Sequence, residues 1–285
     1  MVGQELAPPL GPDERAVVDA ARDALHPLLD ELRPELVARA GRVDLELKED
    51  GTPVTDVDLE VNERLLARIG DVFPDHTVVS EELVTEHADG RWTWIVDPID
   101  GTSNFISGLP YWCISMALTL DGHPVLALVE APPFAARFEA VAGDGATRND
   151  EPIRVRPPVD WNDGRNRHVP LLLTTATARR ARPAVRLNPR VMGSAALDLC
   201  QVAAGTAAAS VSLAPKVWDV AAGVLLVTEA GGQYLTLDGT PLLPLRHDTE
   251  YAGRSAPAAA GPNAAYLRAL VDTLVTDPIG VTRAR

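Results

Sequence analysis

The chain has 285 residues, of which 46% are hydrophobic, and a formal net charge of −14. That length buries a full core, as one large domain or two small ones, while the acidic balance excludes non-specific nucleic-acid binding, which needs basic patches. No apolar run approaches the roughly 20 residues that cross a bilayer. Glu5, Asp13 and Glu14 come early, and no apolar signal-peptide core accompanies them. Cys113 and Cys200 sit in apolar surroundings without CxxC spacing and read as free buried thiols of a reducing compartment. A cytoplasmic protein without membrane spans is expected.

In chain order, residues 1–12 are rich in Pro and Gly and are expected to fray. From Asp13 an apolar face of Val17, Ala21, Ala24, Leu25, Leu28 and Leu29 predicts a helix, with a kink or break at Pro27 and Pro34. Leu47 to Asp58 carries turn signals at Asp50-Gly51 and Thr52-Pro53, as in a loose hairpin. Thr55 or Asp56 then caps a helix marked by Val61, Leu65 and Ile69. Thr77 to Ser80 reads as a strand that ends in Glu81-Glu82.

A second strand, Trp94 to Val96, delivers Asp97 and Asp100 across Pro98, then turns at Gly101-Thr102. Two carboxylates at the end of a buried strand bind a cation or repel each other at a cost. The Gly-Thr step offers backbone N–H groups and a hydroxyl to a phosphate. Strands follow through residues 111–130 around Asp121-Gly122-His123, then at Phe138 to Val141 and at Ile153 to Val155.

A boundary falls near residues 155–165. The N-terminal part is taken as 13–158 and the C-terminal part as 159–285, with a sheet of its own. There a strand at His168 to Thr174 precedes five arginines and two prolines between Arg179 and Arg190, expected to be a solvated loop. Gly193-Ser194 opens a helix stopped by Gly205, and Asp219 starts another that runs to Ala230. Alone, Asp219 reads as an N-cap worth about 1 kcal/mol. Tyr234 to Leu237 with Asp238-Gly239 reads as a hairpin, and a helix at Ala264 to Leu274 closes the chain. Helices, strands and helices in this order predict a layered α/β or α+β protein.

Glu81, Asp97, Asp100 and Asp219, with Asp58 behind them, are hard oxygen donors, and no His pair or Cys cluster accompanies them. Oxygen-only ligation selects Mg²⁺, or Mn²⁺, over Zn²⁺. So many acids imply more than one ion, the equipment of metal-assisted phosphoryl hydrolysis by an activated water. The chain has no GxxxxGK[ST] loop, no GxSxG elbow and no HExxH.

Asp97-Pro98-Ile99-Asp100-Gly101-Thr102-Ser103-Asn104-Phe105 and Trp218-Asp219-Val220-Ala221-Ala222-Gly223 resemble the signatures of the inositol monophosphatase family. Val54 to Asp58 and Ser80-Glu81-Glu82 fall in matching order. The resemblance runs from about residue 13 to 275. It implies an α-β-α-β-α layered fold shared with fructose-1,6-bisphosphatase, two or three Mg²⁺ ions, inhibition by Li⁺, a homodimer, and a small phosphorylated substrate. Carried over residue by residue, Glu81, Asp97, the Ile99 carbonyl, Asp100 and Asp219 resemble the metal ligands. Thr102 and Glu81 resemble the pair that orients the attacking water, with Asp58 supporting Thr102. Gly101 and Thr102 resemble the phosphate cradle. Asp100, Gly193, Ser194 and Ala195 resemble substrate contacts, and Lys48 resembles a mobile-loop lysine near a metal.

Three departures stand out. Ser212 occupies the position of the family's inositol-binding Glu, Ser80 replaces a Gly, and the stretch between His168 and Gly193 is too short for the family's long helix. Inositol monophosphate is the default substrate. Ser212 leans towards relatives acting on fructose 1,6-bisphosphate, histidinol phosphate or 3′-phosphoadenosine 5′-phosphate. The rival from another class is a non-catalytic regulatory protein that keeps the fold.

Overall fold

The computed structural model describes residues 1–3, 7–48, 51–82, 90–239, 243–246, 249, 251 and 254–276. Its elements run β1 (Val2–Gly3), α1 (Pro12–Arg39), β2 (Glu46–Leu47), β3 (Pro53–Val54), α2 (Asp56–Val72), β4 (Thr77–Ser80), β5 (Trp92–Asp100) and α3 (Thr102–Ser107). Next come β6 (Cys113–Leu120), β7 (His123–Ala131), β8 (Ala136–Val141), β9 (Gly145–Arg148), β10 (Glu151–Pro152), β11 (Pro170–Leu173), α4 (Thr175–Arg180), β12 (Ala181–Pro183) and β13 (Asn188–Arg190). The chain continues through α5 (Ala195–Ala203), β14 (Ala209–Ser212), α6 (Val217–Glu229), β15 (Gln233–Thr236), β16 (Ala258–Gly261), α7 (Ala264–Asp272) and β17 (Leu274–Thr276).

One sheet has seven strands in the order β10-β9-β8-β7-β6-β5-β4, antiparallel except for the parallel pair β4–β5. Every residue of β6 and all but the first of β7 are buried, because helices cover both faces. Helices α1 and α2 pack on this sheet at β7 and β5, and α6 packs across β5 to β8. The second sheet has the order β1-β15-β16-β14-β11-β13. Its inner side chains, such as Leu172, Tyr234, Ala258 and Ala260, join the core around α5 and α6. The alternate residues Leu171, Leu173, Leu235 and Ala259 pack with Leu267 and Leu270 of α7. That period of two places α7 on the far face and completes the α-β-α-β-α layering.

Local differences from the sequence expectations have long-range causes. The N-terminus, expected to fray, starts with Val2–Gly3 paired to Thr236 and Leu235 of β15. Helix α1 runs through Pro27 and Pro34, held by the buried stripe Leu25, Leu28, Leu29, Leu32 and Leu36. Each proline removes one helical hydrogen bond, and burial of that stripe outweighs the loss. Ile153 to Val155 is not a strand: Ile153 N–H donates to Ala146, and Val155 N–H to Ala230. The 179–190 run is the end of α4 followed by β12 and β13 rather than a loop; β12 pairs with β17 and β13 with β11. No hairpin turns at Asp238-Gly239, since β15 pairs with the distant β16 and with β1. Asp50, half of one turn signal, lies outside the described residues, while Lys48 N–H to Thr52 C=O closes the β2–β3 hairpin.

Candidate active site

The site begins with a bulge. In a regular strand, residues three apart face opposite sides. Asp97 pairs with Ser115 and Asp100 with Cys113, so two residues of β5, Pro98 and Ile99, oppose the single Ile114. Proline has no N–H to give the ladder and suits such a bulge. The bulge restores parity and brings both carboxylates to one side. Asp219, third residue of α6, meets them there: one ligand atom from each of Asp97, Asp100 and Asp219 lies within 4.8 Å of the others. Asp219 Oδ2 accepts from Lys216 N–H at 2.9 Å, and this fixes its direction.

The cluster is electrostatically unstable by itself. Burial first, and then Glu81, Asp100 and Asp219, push Asp97 far above the ordinary carboxylate range. Asp97 Oδ1 is buried with no hydrogen-bond partner. Burial pushes Asp100 up to about 6, although Ser194 Oγ and Ala196 N–H donate to its Oδ2 at 2.5 and 2.7 Å. Burial and Asp100 raise Asp219 as well. An orphaned carboxylate oxygen facing two further acids fits a hard divalent cation.

Glu81, after β4, lines the same cleft of about 210 Å³ together with Thr52, Gly101 and Thr102. Its Oε1 accepts from Lys48 Nζ at 3.1 Å, and Lys48 also donates to Glu82 at 2.7 Å. Burial works against the Lys48 charge, but the two glutamates outweigh it and raise its pKa. Glu82 is one residue that sequence reasoning left out; its signal was the Glu-Glu pair itself.

Asp58 belongs to both a cap and the site. Thr55 is the N-cap of α2, and Asp58 Oδ2 accepts from its N–H and Oγ at 2.9 and 2.5 Å. The other oxygen accepts from Thr102 Oγ at 3.1 Å, and Thr102 Oγ also lies 3.0 Å from the Ile99 carbonyl. Burial raises the Asp58 pKa despite these donors. Asp56 turns outwards to Arg39 instead.

Gly101 makes the turn at φ +99°, and a Cβ there would lie 3.0 Å from the Tyr111 carbonyl oxygen. Gly101 and Thr102, at the start of α3, line the cleft, and N–H groups in the first turn of a helix have no i−4 partner within it. Asn104, which sequence reasoning also missed, donates to the Tyr111 and Met192 carbonyls at 2.7 and 2.8 Å. It therefore ties α3 to the Gly193-Ser194 turn, where Gly193 has φ +93° and a Cβ would sit 2.7 Å from Asn104 Nδ2. Ser194 caps α5 and bonds Asp100, so its hydroxyl is a support as well as a wall of the site. A second cavity of about 410 Å³ adjoins the acids and is lined by Gly193, Ser194, Ala195, Ser212 and the start of α4.

Five layers with three converging carboxylates beside a tight glycine turn are an arrangement that suits a hard, oxygen-ligated cation. The chain belongs to the inositol monophosphatase family, a family of phosphomonoester hydrolases, whose sequence profile matches residues 12–271. It is 36% identical over 210 residues to the Nus factor SuhB of Pasteurella multocida, covering 68% of this chain and 75% of that one. It is 35% identical over 208 residues to the fructose-1,6-bisphosphatase/inositol-1-monophosphatase of Thermotoga maritima, covering 72% and 80%. Among solved structures, a Thermotoga maritima IMPase superposes with a TM-score of 0.71 at 28% identity, covering 88% of this chain and 98% of that one.

Proposed function

We propose that this protein is a Mg²⁺-dependent phosphomonoesterase that releases phosphate from a small phosphorylated alcohol, inositol monophosphate by default. The observation that carries the reading is the Asp97, Asp100 and Asp219 cluster, with its orphaned oxygen, beside Gly101-Thr102. Asp97, Asp100 and Asp219, with Glu81 and the Ile99 carbonyl, would hold two or three ions, Mg²⁺ or Mn²⁺. Bound there, the ions supply charge neutralisation for the phosphate and acidify water. Gly101 and Thr102 N–H groups bind phosphate oxygens. Thr102 Oγ and Glu81 orient the attacking water, and Asp58 takes up proton density through Thr102. Lys48 holds Glu81 and Glu82 in place until cations take over that charge. Li⁺ is expected to inhibit, as the family resemblance implies.

The name fructose-1,6-bisphosphatase/inositol-1-monophosphatase belongs to the relative; here it makes fructose 1,6-bisphosphate the first alternative substrate. The Nus factor relatives keep the rival of a non-catalytic regulatory role in view. Retention of all the acids and of Thr102 favours catalysis. Asp97→Asn separates the two readings: an enzyme loses turnover, whereas a scaffold keeps its partner.

A homodimer is part of the proposal. Support comes from an apolar groove of about 320 Å³ lined by Tyr111, Phe134, Leu172 and Met192, with Leu109 and Val191 exposed nearby in sequence. Light scattering that gives a monomer mass overturns it. A cytoplasmic setting rests on the two free buried thiols. No helix among the described residues is long and apolar enough to cross a membrane. Phosphate release from a panel of phosphorylated alcohols tests the reading; activity on none overturns it.

A further inference from the structure

Asp198 is a buried acid that the proposed reaction leaves unused. It is the fourth residue of α5 and is fully buried. Tyr111 Oη donates to its Oδ1 at 2.9 Å, and Oδ2 has no hydrogen-bond partner among the described residues. Burial pushes its pKa well above the ordinary carboxylate range against the pull of the Tyr111 bond, and Asp100 adds to the push. A carboxyl removed from water against one donor keeps its proton. Asp198 therefore serves Tyr111 as a neutral acceptor and not as a charge.

Tyr111 is tied to the acid cluster along two routes. Along the chain, it precedes Cys113 by two residues, and Cys113 is the ladder partner of Asp100. Across the fold, its carbonyl accepts from Asn104, which also donates to Met192 just ahead of the Gly193-Ser194 turn. Beyond that turn α5 comes back to Asp100, where Ser194 Oγ and Ala196 N–H donate to Oδ2 at 2.5 and 2.7 Å. Asp198 lies two residues further along the same helix. These contacts close a ring that runs from Asp100 through Cys113, Tyr111, Asp198 and the first turn of α5 back to Asp100. Tyr111 and Asp198 are not among the residues that line the cleft or the adjoining cavity. Their bond acts on the site through the backbone that it ties.

A hard divalent ion makes the ring matter, because Mg²⁺ demands near-ideal octahedral geometry at about 2.0–2.1 Å. With Oδ2 held by two donors from α5, the direction of the Asp100 carboxylate follows the position of that helix's first turn. A drift of α5 away from β5 turns Asp100 off Asp97 and Asp219, whose ligand atoms lie within 4.8 Å of its own.

We infer that Tyr111 and Asp198 are a positioning pair, whose hydrogen bond sets the first turn of α5 against β5 and so aims Asp100 at the cation; this rests on the reading above of Asp97, Asp100 and Asp219 as cation ligands. Because Asp198 acts as a neutral acceptor, Asn can take its place and Leu cannot.

The test is Mn²⁺ binding to metal-stripped, full-length protein, read from the electron paramagnetic resonance of the free ion. Wild type is compared with Y111F, D198L, D198N and Y111F/D198L, and each is melted in EDTA alongside. T119V is the control: Thr119 Oγ donates to the Thr93 carbonyl at 3.0 Å, bridging the same strands β5 and β6 away from the acids. Y111F and D198L are expected to raise the Mn²⁺ Kd by roughly 3- to 10-fold, less than the ~10- to 100-fold typical of groups that touch a metal ligand directly. The double variant should bind about as weakly as the weaker single one, since both remove one bond. D198N and T119V should stay within about 2-fold of wild type. Y111F and D198L that melt lower yet bind Mn²⁺ like wild type show a merely structural bond and overturn the inference. So do losses that add in the double variant, a D198N or T119V loss as large as that of Y111F, or, where D198L fails to fold, a wild-type Kd in Y111F alone. Wild type that binds Mn²⁺ but releases no phosphate from any phosphorylated alcohol overturns the hydrolase reading, while the Kd values still decide this one. Wild type that binds no Mn²⁺ overturns both.

Discussion

Replacing Asp97 by Asn makes the metal-free protein more stable and the Mg²⁺-loaded protein less so. Asp97 is 1% exposed, its Oδ1 is unpartnered, and it lies among carboxylate atoms within 4.8 Å. Two unit charges at that spacing repel by about 3 kcal/mol at an effective dielectric near 20. Protons taken up by the cluster relieve part of this, so the amide should return about 1–3 kcal/mol. At roughly 2–4 °C per kcal/mol for a domain of this size class, the metal-free melting temperature rises by about 3–8 °C. Mg²⁺ at 100 times its Kd should stabilise the wild type by about 2.7 kcal/mol, and D97N should lose most of that gain along with turnover. Thermal unfolding in EDTA and in Mg²⁺ at one fixed pH reads both effects. A variant that melts lower than wild type in EDTA yet keeps its Mg²⁺ shift refutes the reasoning.

Thr102→Ala removes the hydroxyl bonded to Asp58 and should lower kcat by about 10²-fold in a phosphate-release assay, a loss typical of proton-transfer machinery; a near-normal rate denies Thr102 that role. Gly101→Ala forces a Cβ into φ +99° and to 3.0 Å from the Tyr111 carbonyl oxygen, which should cost about 1–3 kcal/mol of stability and lower the melting temperature. An unfolded Asp ionises near 4, whereas burial holds Asp100 at about 6. Its folded pKa is raised, so its contribution to stability is full below about 4 and is lost as pH rises through about 6. In EDTA the protein should therefore weaken between about pH 4 and pH 7 on this account, and the Mg²⁺-induced rise in melting temperature should grow over the same interval; a Mg²⁺ shift independent of pH contradicts it.

Much of the site was legible because its logic is local. Asp97 and Asp100 were legible as two acids at the end of a buried strand, which bind a cation or repel each other; the bulge that aligns them was not, since the strand was read only to Val96 and runs on to Asp100. The helix start at Thr55 or Asp56 was legible as well, while the capping box that pairs Thr55 with Asp58 came only with the structure. What stayed hidden depends on partners far away in sequence. Asn104 looks like any polar residue until the Tyr111 and Met192 carbonyls meet it. Asp198 lies within α5 with no neighbouring signal, yet it is buried and accepts from Tyr111 Oη at 2.9 Å. The short strand β16, Ala-Ala-Ala-Gly and free of alternation, takes its identity from the sheet and not from propensity.

The proposed activity depends on Asp97, Asp100 and Asp219 holding the cations. Phosphate release from inositol monophosphate, followed as Mg²⁺ is titrated into metal-stripped protein and its D219N variant, tests it most directly. Turnover should saturate with Mg²⁺, vanish in EDTA and be lost in D219N. Turnover that persists in EDTA, or that D219N leaves intact, would contradict it.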